Sequence, residues 1–188
     1  MFIDWQRVCS TLPALPEGSH LLDVGGGDGE PLNHLLQRFE HVSVTMIDIG
    51  LNIGMGLEPS LRNRVEILAG TTLRQYTAMK KRPVDFVLLC DVIHHIPMLE
   101  RDTFFSDLKD AIDRHTGLII KEIEPGFFRS TLASLTDRYL SGDRRASLIS
   151  RQDLLMLVRR YFPTHHVLET GLFERDRPNY CLFSRPSG

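Results

Sequence analysis

Residues 20–30 read HLLDVGGGDGE, an apolar run that closes on four glycines in five positions, interrupted only by Asp28. Each glycine costs conformational entropy on folding. Crowding them directly behind an apolar run therefore implies a close approach to the backbone. A strand whose carboxyl end runs into a glycine-rich turn and then a helix is the place where open α/β sheets bind nucleotides.

The rest of the chain repeats the alternation. VSVTMID (42–48), RVEIL (64–68), VDFVLLC (84–90) and GLIIKEI (117–123) are apolar runs of strand length. Several are apolar on both faces, as strands buried between helical layers must be. Leu32, Leu35, Leu36 and Phe39 follow one helical face after the glycines, and Phe104, Phe105, Leu108, Ala111 and Ile112 another after the fourth run. This order predicts parallel strands joined by right-handed crossovers. Ser150 and Asp153 read as a capping box for a helix carrying Leu154, Leu155, Leu157, Val158 and Tyr161, ending near Pro163. HHVLETGLF (165–173) and PNYCLFSRP (178–186), linked by ERDR (174–177), read as an antiparallel hairpin. The expected architecture is α/β, with a seven-stranded, mostly parallel sheet and a C-terminal antiparallel hairpin. One domain over 1–188 is expected, opened by a helical segment over 1–19 in which Phe2, Trp5, Cys9 and Leu12 share a face that packs on the sheet or, as the alternative, covers a pocket.

Composition narrows the function. With 188 residues, 42% of them hydrophobic, the chain can bury one core, and a net charge of -2 gives no basic field to gather nucleic acid. Cys9, Cys90 and Cys181 are dispersed and odd in number, which fits reduced thiols in a cytoplasmic protein. No uninterrupted apolar stretch approaches the length of a membrane span.

The glycine spacing decides between cofactors. A dinucleotide fingerprint, G-x-G-x-x-G, fails because counting from Gly25 reaches Glu30 and counting from Gly27 reaches Leu32. A P-loop fails because no lysine precedes Lys80. What remains is D-x-G-x-G-x-G, made by Asp23, Gly25, Gly27 and Gly29, with Gly26 between them. Here the sequence resembles the class I S-adenosylmethionine-dependent methyltransferases, from about residue 19 to the final hairpin. The resemblance implies a three-layer Rossmann-like fold and S-adenosyl-L-methionine as cofactor. It places Asp23 by the cofactor's ammonium, Asp48 on the ribose hydroxyls and Ile49 against adenine. A helix N-cap is the structural alternative for Asp48. Many members carry an acid after the third strand, whereas this chain reads ILAGTTLR (67–74); Gly70, Thr71 and Thr72 are left to offer backbone or hydroxyl contacts, or Thr71 caps the next helix.

VDFVLLCDVIHHIP (84–97) is similar to the family's fourth motif, in the subgroup with a paired histidine. Cys90 and Asp91 are expected near the methionine moiety and His94 and His95 at the mouth, where an imidazole suits proton removal from an acceptor. Packing roles are the alternative. Asp91, His94 and His95 are not expected to hold a metal, since adjacent histidines rarely turn both rings to one ion. The Asn/Asp-Pro-Pro-aromatic signature of nucleobase methylation is replaced by CDVI (90–93). Residues 124–149, with Phe127, Phe128, Tyr139, Arg129, Arg138, Arg144 and Arg145, form a candidate acceptor-site lid, and Lys121 and Glu122 are expected to line the same cavity. The expected activity is methyl transfer to a small-molecule acceptor, at oxygen before nitrogen or carbon; the alternative is a catalytically silent S-adenosylmethionine-binding subunit.

Overall fold

The computed structural model describes residues 8–10, 12–79, 82–125, 147–170 and 179–187. The elements run β1 (His20–Val24), α1 (Glu30–Arg38), β2 (Ser43–Asp48), β3 (Val65–Ala69), α2 (Leu73–Ala78), β4 (Phe86–Cys90), α3 (Arg101–Ala111), β5 (Gly117–Ile123), α4 (Arg151–Tyr161), β6 (His165–Thr170) and β7 (Asn179–Pro186). They build one seven-stranded sheet in the order β3-β2-β1-β4-β5-β7-β6. The five strands β1 to β5 run parallel. β7 lies antiparallel to both β5 and β6, giving the Rossmann-like topology with its closing antiparallel pair.

Side chains alternate through the strands, so each face carries its own core. On one face Leu21, Val44, Phe86 and Ile119 pack against Leu32, Leu35 and Leu36 of α1. Cys9 and Leu12 join this core, so the described part of the N-terminal segment packs on the sheet; Phe2 and Trp5 lie outside the described residues. On the other face Leu22, Val87 and Ile120 meet Tyr76 of α2, Phe105 and Leu108 of α3, and Leu154 and Val158 of α4. Helix, sheet and helix make the three layers.

Local chemistry sets the boundaries. Pro31 sits in the first turn of α1, where its missing N–H is harmless. Arg64, expected in the third strand, instead belongs to a single 3-10 turn before β3, and its guanidinium donates to the carbonyls of Leu36 (2.8 Å) and Val42 (2.9 Å). It thereby satisfies a carbonyl in the last turn of α1. Ser150 caps α4 as expected, its hydroxyl accepting the Asp153 N–H at 3.1 Å. Residues 126–146 of the expected lid, the 174–177 link of the hairpin and the flanking 171–173 and 178 of its two expected strands lie outside the described residues. Among the described residues no helix is long and apolar enough to cross a membrane.

All five parallel strands end at one edge, so the loops after β1, β2, β3 and β4 converge there. The chain passes from β1 outward to β2 and β3, then returns to β4 on β1's other flank. That reversal opens a crevice at the carboxyl ends of β1 and β4.

Candidate cofactor and active site

The crevice is a cavity of about 650 Å³ bordered by all four loops. Gly25, Asp48, Ile49 and Thr71 form one side, with Asp91, Val92 and His95 facing them from the loop after β4. Ile96, Pro97 and Phe104 extend the apolar wall. The volume lies within the usual range for small-molecule sites. Asp23, Gly26, Gly27, Gly29, Gly70, Cys90 and His94 do not border this cavity; they stand behind its wall or support its loops.

The glycine loop is dense for reasons internal to the protein. A Cβ on Gly26 would lie 2.5 Å from Asp23 Oδ2 and 2.6 Å from Met46 Cε, and one on Gly25 would lie 2.8 Å from Val92 Cγ2. Gly27 needs glycine for a different reason, its φ of 54°, since its Cβ would meet nothing within 4 Å. The close approach inferred from the sequence is thus made in part by the chain's own side chains.

Asp48 holds this loop in place. Its Oδ2 accepts the Gly27 N–H at 3.0 Å and its Oδ1 the Gly50 N–H at 2.7 Å. It caps no helix, and each oxygen keeps lone-pair capacity toward the cavity it borders. Ile49 beside it is 79% exposed, an apolar side chain held at the cavity mouth. Thr71 is buried and its N–H donates to the Asp48 carbonyl at 2.8 Å. The helix cap falls one residue later: Thr72 Oγ1 accepts the Gln75 N–H while Gln75 Oε1 accepts the Thr72 N–H at 2.8 Å. Gly70, between the end of β3 and Thr71, turns the chain at φ 67°.

Beneath the loop, Asp23 is buried on the face that also carries Cys90 and Lys121. Burial, aided by the Asp48 charge, pushes its carboxyl up to about 7. Such a group is neutral or ionised near neutrality according to whether a cation comes beside it. Burial and the Asp91 charge likewise raise the Cys90 thiol, with Lys121 opposing, so Cys90 is a poorly reactive, partly buried thiol.

The paired histidines part company. His95 is exposed and borders the cavity, whereas His94 is 3% exposed and its Nδ1 lies 2.7 Å from Glu122 Oε2. The two rings stay in contact, with centroids 4.1 Å apart. Glu122 is completely buried, and its Oε1 accepts the Ile93 N–H at 2.6 Å. Lys121, its neighbour in β5, points to the opposite face and donates to Asp91 Oδ1 at 2.7 Å. Neither residue borders the cavity; both brace the turn that does. A carboxylate held against Nδ1 fixes the orientation of the imidazole ring. Asp91, His94 and Glu122 bring candidate ligand atoms within 4.8 Å of one another, a set in which Glu122 takes the place expected of His95. The imidazole and the Lys121 ammonium already satisfy the two carboxylates.

The role of Glu122 is what the sequence hid. Its only signal there is the charged pair at the end of an otherwise apolar strand, GLIIKEI (117–123).

Known proteins agree with this architecture. An O-methyltransferase family protein from Burkholderia thailandensis superposes with a TM-score of 0.73 at 18% identity, covering 97% of this chain and 55% of that one. The SAH-bound form of CalO1, a methyltransferase in calicheamicin biosynthesis, matches at 0.71 and 14% identity over 98% of this chain and 53% of its own. A SAM-dependent methyltransferase from Archaeoglobus fulgidus matches at 0.70 and 11% identity, over 96% and 92%. This chain thus spans only about half the length of the first two. No curated protein matches it. The sequence profile of the methyltransferase domain covers residues 3–160, and the chain belongs to that family.

Proposed function

We propose that this methyltransferase-family chain takes S-adenosyl-L-methionine as its methyl donor and methylates a small-molecule acceptor, at oxygen. The observation that carries the donor is Asp48: a carboxylate on the wall of a cavity of about 650 Å³, both oxygens oriented by backbone N–H groups, beside an exposed Ile49. Those features fit an adenosine, with two ribose hydroxyls for the acid and a flat ring for the apolar wall. Asp23 stands behind that wall, under the glycine turn, and its buried carboxyl gains from a cation brought to that turn, as the amine end of the donor would be. Gly25, Thr71 and Asp91 complete the wall, while Gly26, Gly27, Gly29, Gly70 and Cys90 set its backbone.

When bound, the donor supplies an electrophilic methyl on a good leaving group, so the protein's tasks are orientation, exclusion of water and removal of one proton. His94 and His95 supply the last. His95, exposed on the cavity wall, is placed to take the proton of an acceptor hydroxyl, and His94, held by Glu122 through Nδ1 and in contact with the His95 ring, positions it from behind that wall. General-base assistance of this kind is worth about 10² to 10⁴-fold. A CalO1 structure in its SAH-bound form supports the donor.

The test is a screen of metabolite extracts with methyl-labelled S-adenosylmethionine, followed by identification of the labelled product. His95→Ala and His94→Ala should each lower turnover on that product's precursor by about 10² or more while leaving S-adenosylhomocysteine affinity intact. Full turnover in both variants would remove the base assignment. Donor binding with no labelled product from any extract would favour the silent cofactor-binding subunit.

A further inference from the structure

Lys121 is 1% exposed, in the middle of a sheet, where a lysine is rarely found without a dedicated partner. Its ammonium donates to both carboxylate oxygens of Asp91, at 2.7 and 2.5 Å, and its carbonyl accepts the Asp91 N–H at 2.9 Å. Asp91 in turn has φ 57°, the one non-glycine residue in the left-handed region among the described residues. The ion pair therefore holds a strained residue at the point where β4 ends and the cavity begins. An apolar side chain would brace such a turn equally well. A charged one changes what the cavity presents, because the Asp91 carboxylate is 30% exposed and borders it.

We propose that Lys121 is a charge-setting and positioning residue: by pairing with Asp91 it withholds that carboxylate from the sulfonium of the methyl donor. This rests on the donor reading above. The chemical reason lies in the reaction coordinate. As the methyl passes to the acceptor, the electron pair of its C–S bond stays on sulfur and the positive charge there disappears. A carboxylate attached to the sulfonium stabilises the starting state more than the transition state, which slows the transfer and favours neither turnover nor selectivity. Engaged by Lys121, Asp91 shapes the wall without binding the charge.

Two compounds that differ by one methyl and one charge read this directly. The full chain and its Lys121→Met, Lys121→Arg and Asp91→Asn variants are titrated calorimetrically with S-adenosylmethionine and S-adenosylhomocysteine, with near-ultraviolet circular dichroism as the check on folding. Lys121→Met should raise the preference for the sulfonium over the thioether by about tenfold. Lys121→Arg should restore the wild-type preference. Asp91→Asn, which tolerates the left-handed backbone, should push it below wild type. Equal losses for both ligands, or an unchanged preference in Lys121→Met and Asp91→Asn, would overturn the inference and leave Lys121 a brace. If the wild-type chain binds neither compound, the donor reading fails first and this inference with it.

Discussion

Replacing Asp48 with Asn separates the two tasks this side chain performs. The carboxylate accepts the Gly27 N–H at 3.0 Å and the Gly50 N–H at 2.7 Å. Asn keeps one oxygen, which the shorter Gly50 bond claims, and turns an NH₂ toward the Gly27 N–H, donor against donor. In the free protein the loss is one charge-assisted bond at a half-exposed site where water substitutes, about 1 kcal/mol. For a chain of this length that is a fall in Tm of about 2–4 °C. In the complex a ribose hydroxyl also loses its charged acceptor, for a further 1.5–3 kcal/mol or so. The dissociation constant for adenosine should therefore rise by roughly 10- to 100-fold. The assay is calorimetric titration of both proteins with adenosine and with 2′,3′-dideoxyadenosine. The wild type should bind the dideoxy compound about as weakly as Asp48→Asn binds adenosine, and the variant should hardly distinguish the two. If the variant melts earlier yet binds adenosine with wild-type affinity, Asp48 is only a loop tether and the ribose assignment is wrong.

Asp23 gives the site a pH dependence. Its folded value of about 7 lies above the ordinary 3.8, so on its own the carboxyl favours the fold at low pH and that contribution is lost as pH rises toward 7. A cationic ligand reverses the preference, so affinity for S-adenosylhomocysteine should climb as pH rises to about 7 and then level off; an identical slope in Asp23→Asn would discard the assignment. Gly26→Ala places a Cβ 2.5 Å from Asp23 Oδ2 and 2.6 Å from Met46, and should cost about 1–3 kcal/mol in urea unfolding. A midpoint indistinguishable from wild type would show that the loop relaxes freely. At the opposite edge of the sheet, burial and the Arg82 charge lower His20 to about 4 from an ordinary 6.5. Its contribution is present above 6.5 and lost as pH falls through 4, so His20→Gln should flatten the stability profile across that window. A profile as steep as the wild type's would point to the carboxylates instead.

The strands were legible because burial between two helical layers leaves a continuous apolar run. β1 and β5 match their expected limits at both ends, and β7 falls one residue short at its start. Arg64 escaped because its task is to cap carbonyls across the sheet edge, which no local pattern records. The cavity residues Gly25, Asp48, Ile49, Thr71, Asp91 and His95 were readable from the glycine spacing and from the ends of β2 and β4. The distinction between His94 and His95 was not, since it depends on Glu122, 28 positions away in sequence. Only the pairing of Cys90 with Lys121 across β4 and β5 brings these groups to the same turn. Lys121 and Glu122 looked like cavity-lining groups because two charges at a strand end usually meet solvent; here each is buried against a partner chosen by that register.

The position of β7 has a consequence for how the chain matures on the ribosome. β5, which carries Lys121 and Glu122, is flanked by β4 on one side and by β7 on the other, yet β7 is made of residues 179–186. A nascent chain can lay down the four strands that border the crevice while β5 still exposes a row of unpaired amides and carbonyls. Until the last strand is synthesised, that bare flank is open to pairing with other nascent chains. Translation that halts before residue 179 would therefore yield a pocket-bearing fragment prone to aggregate.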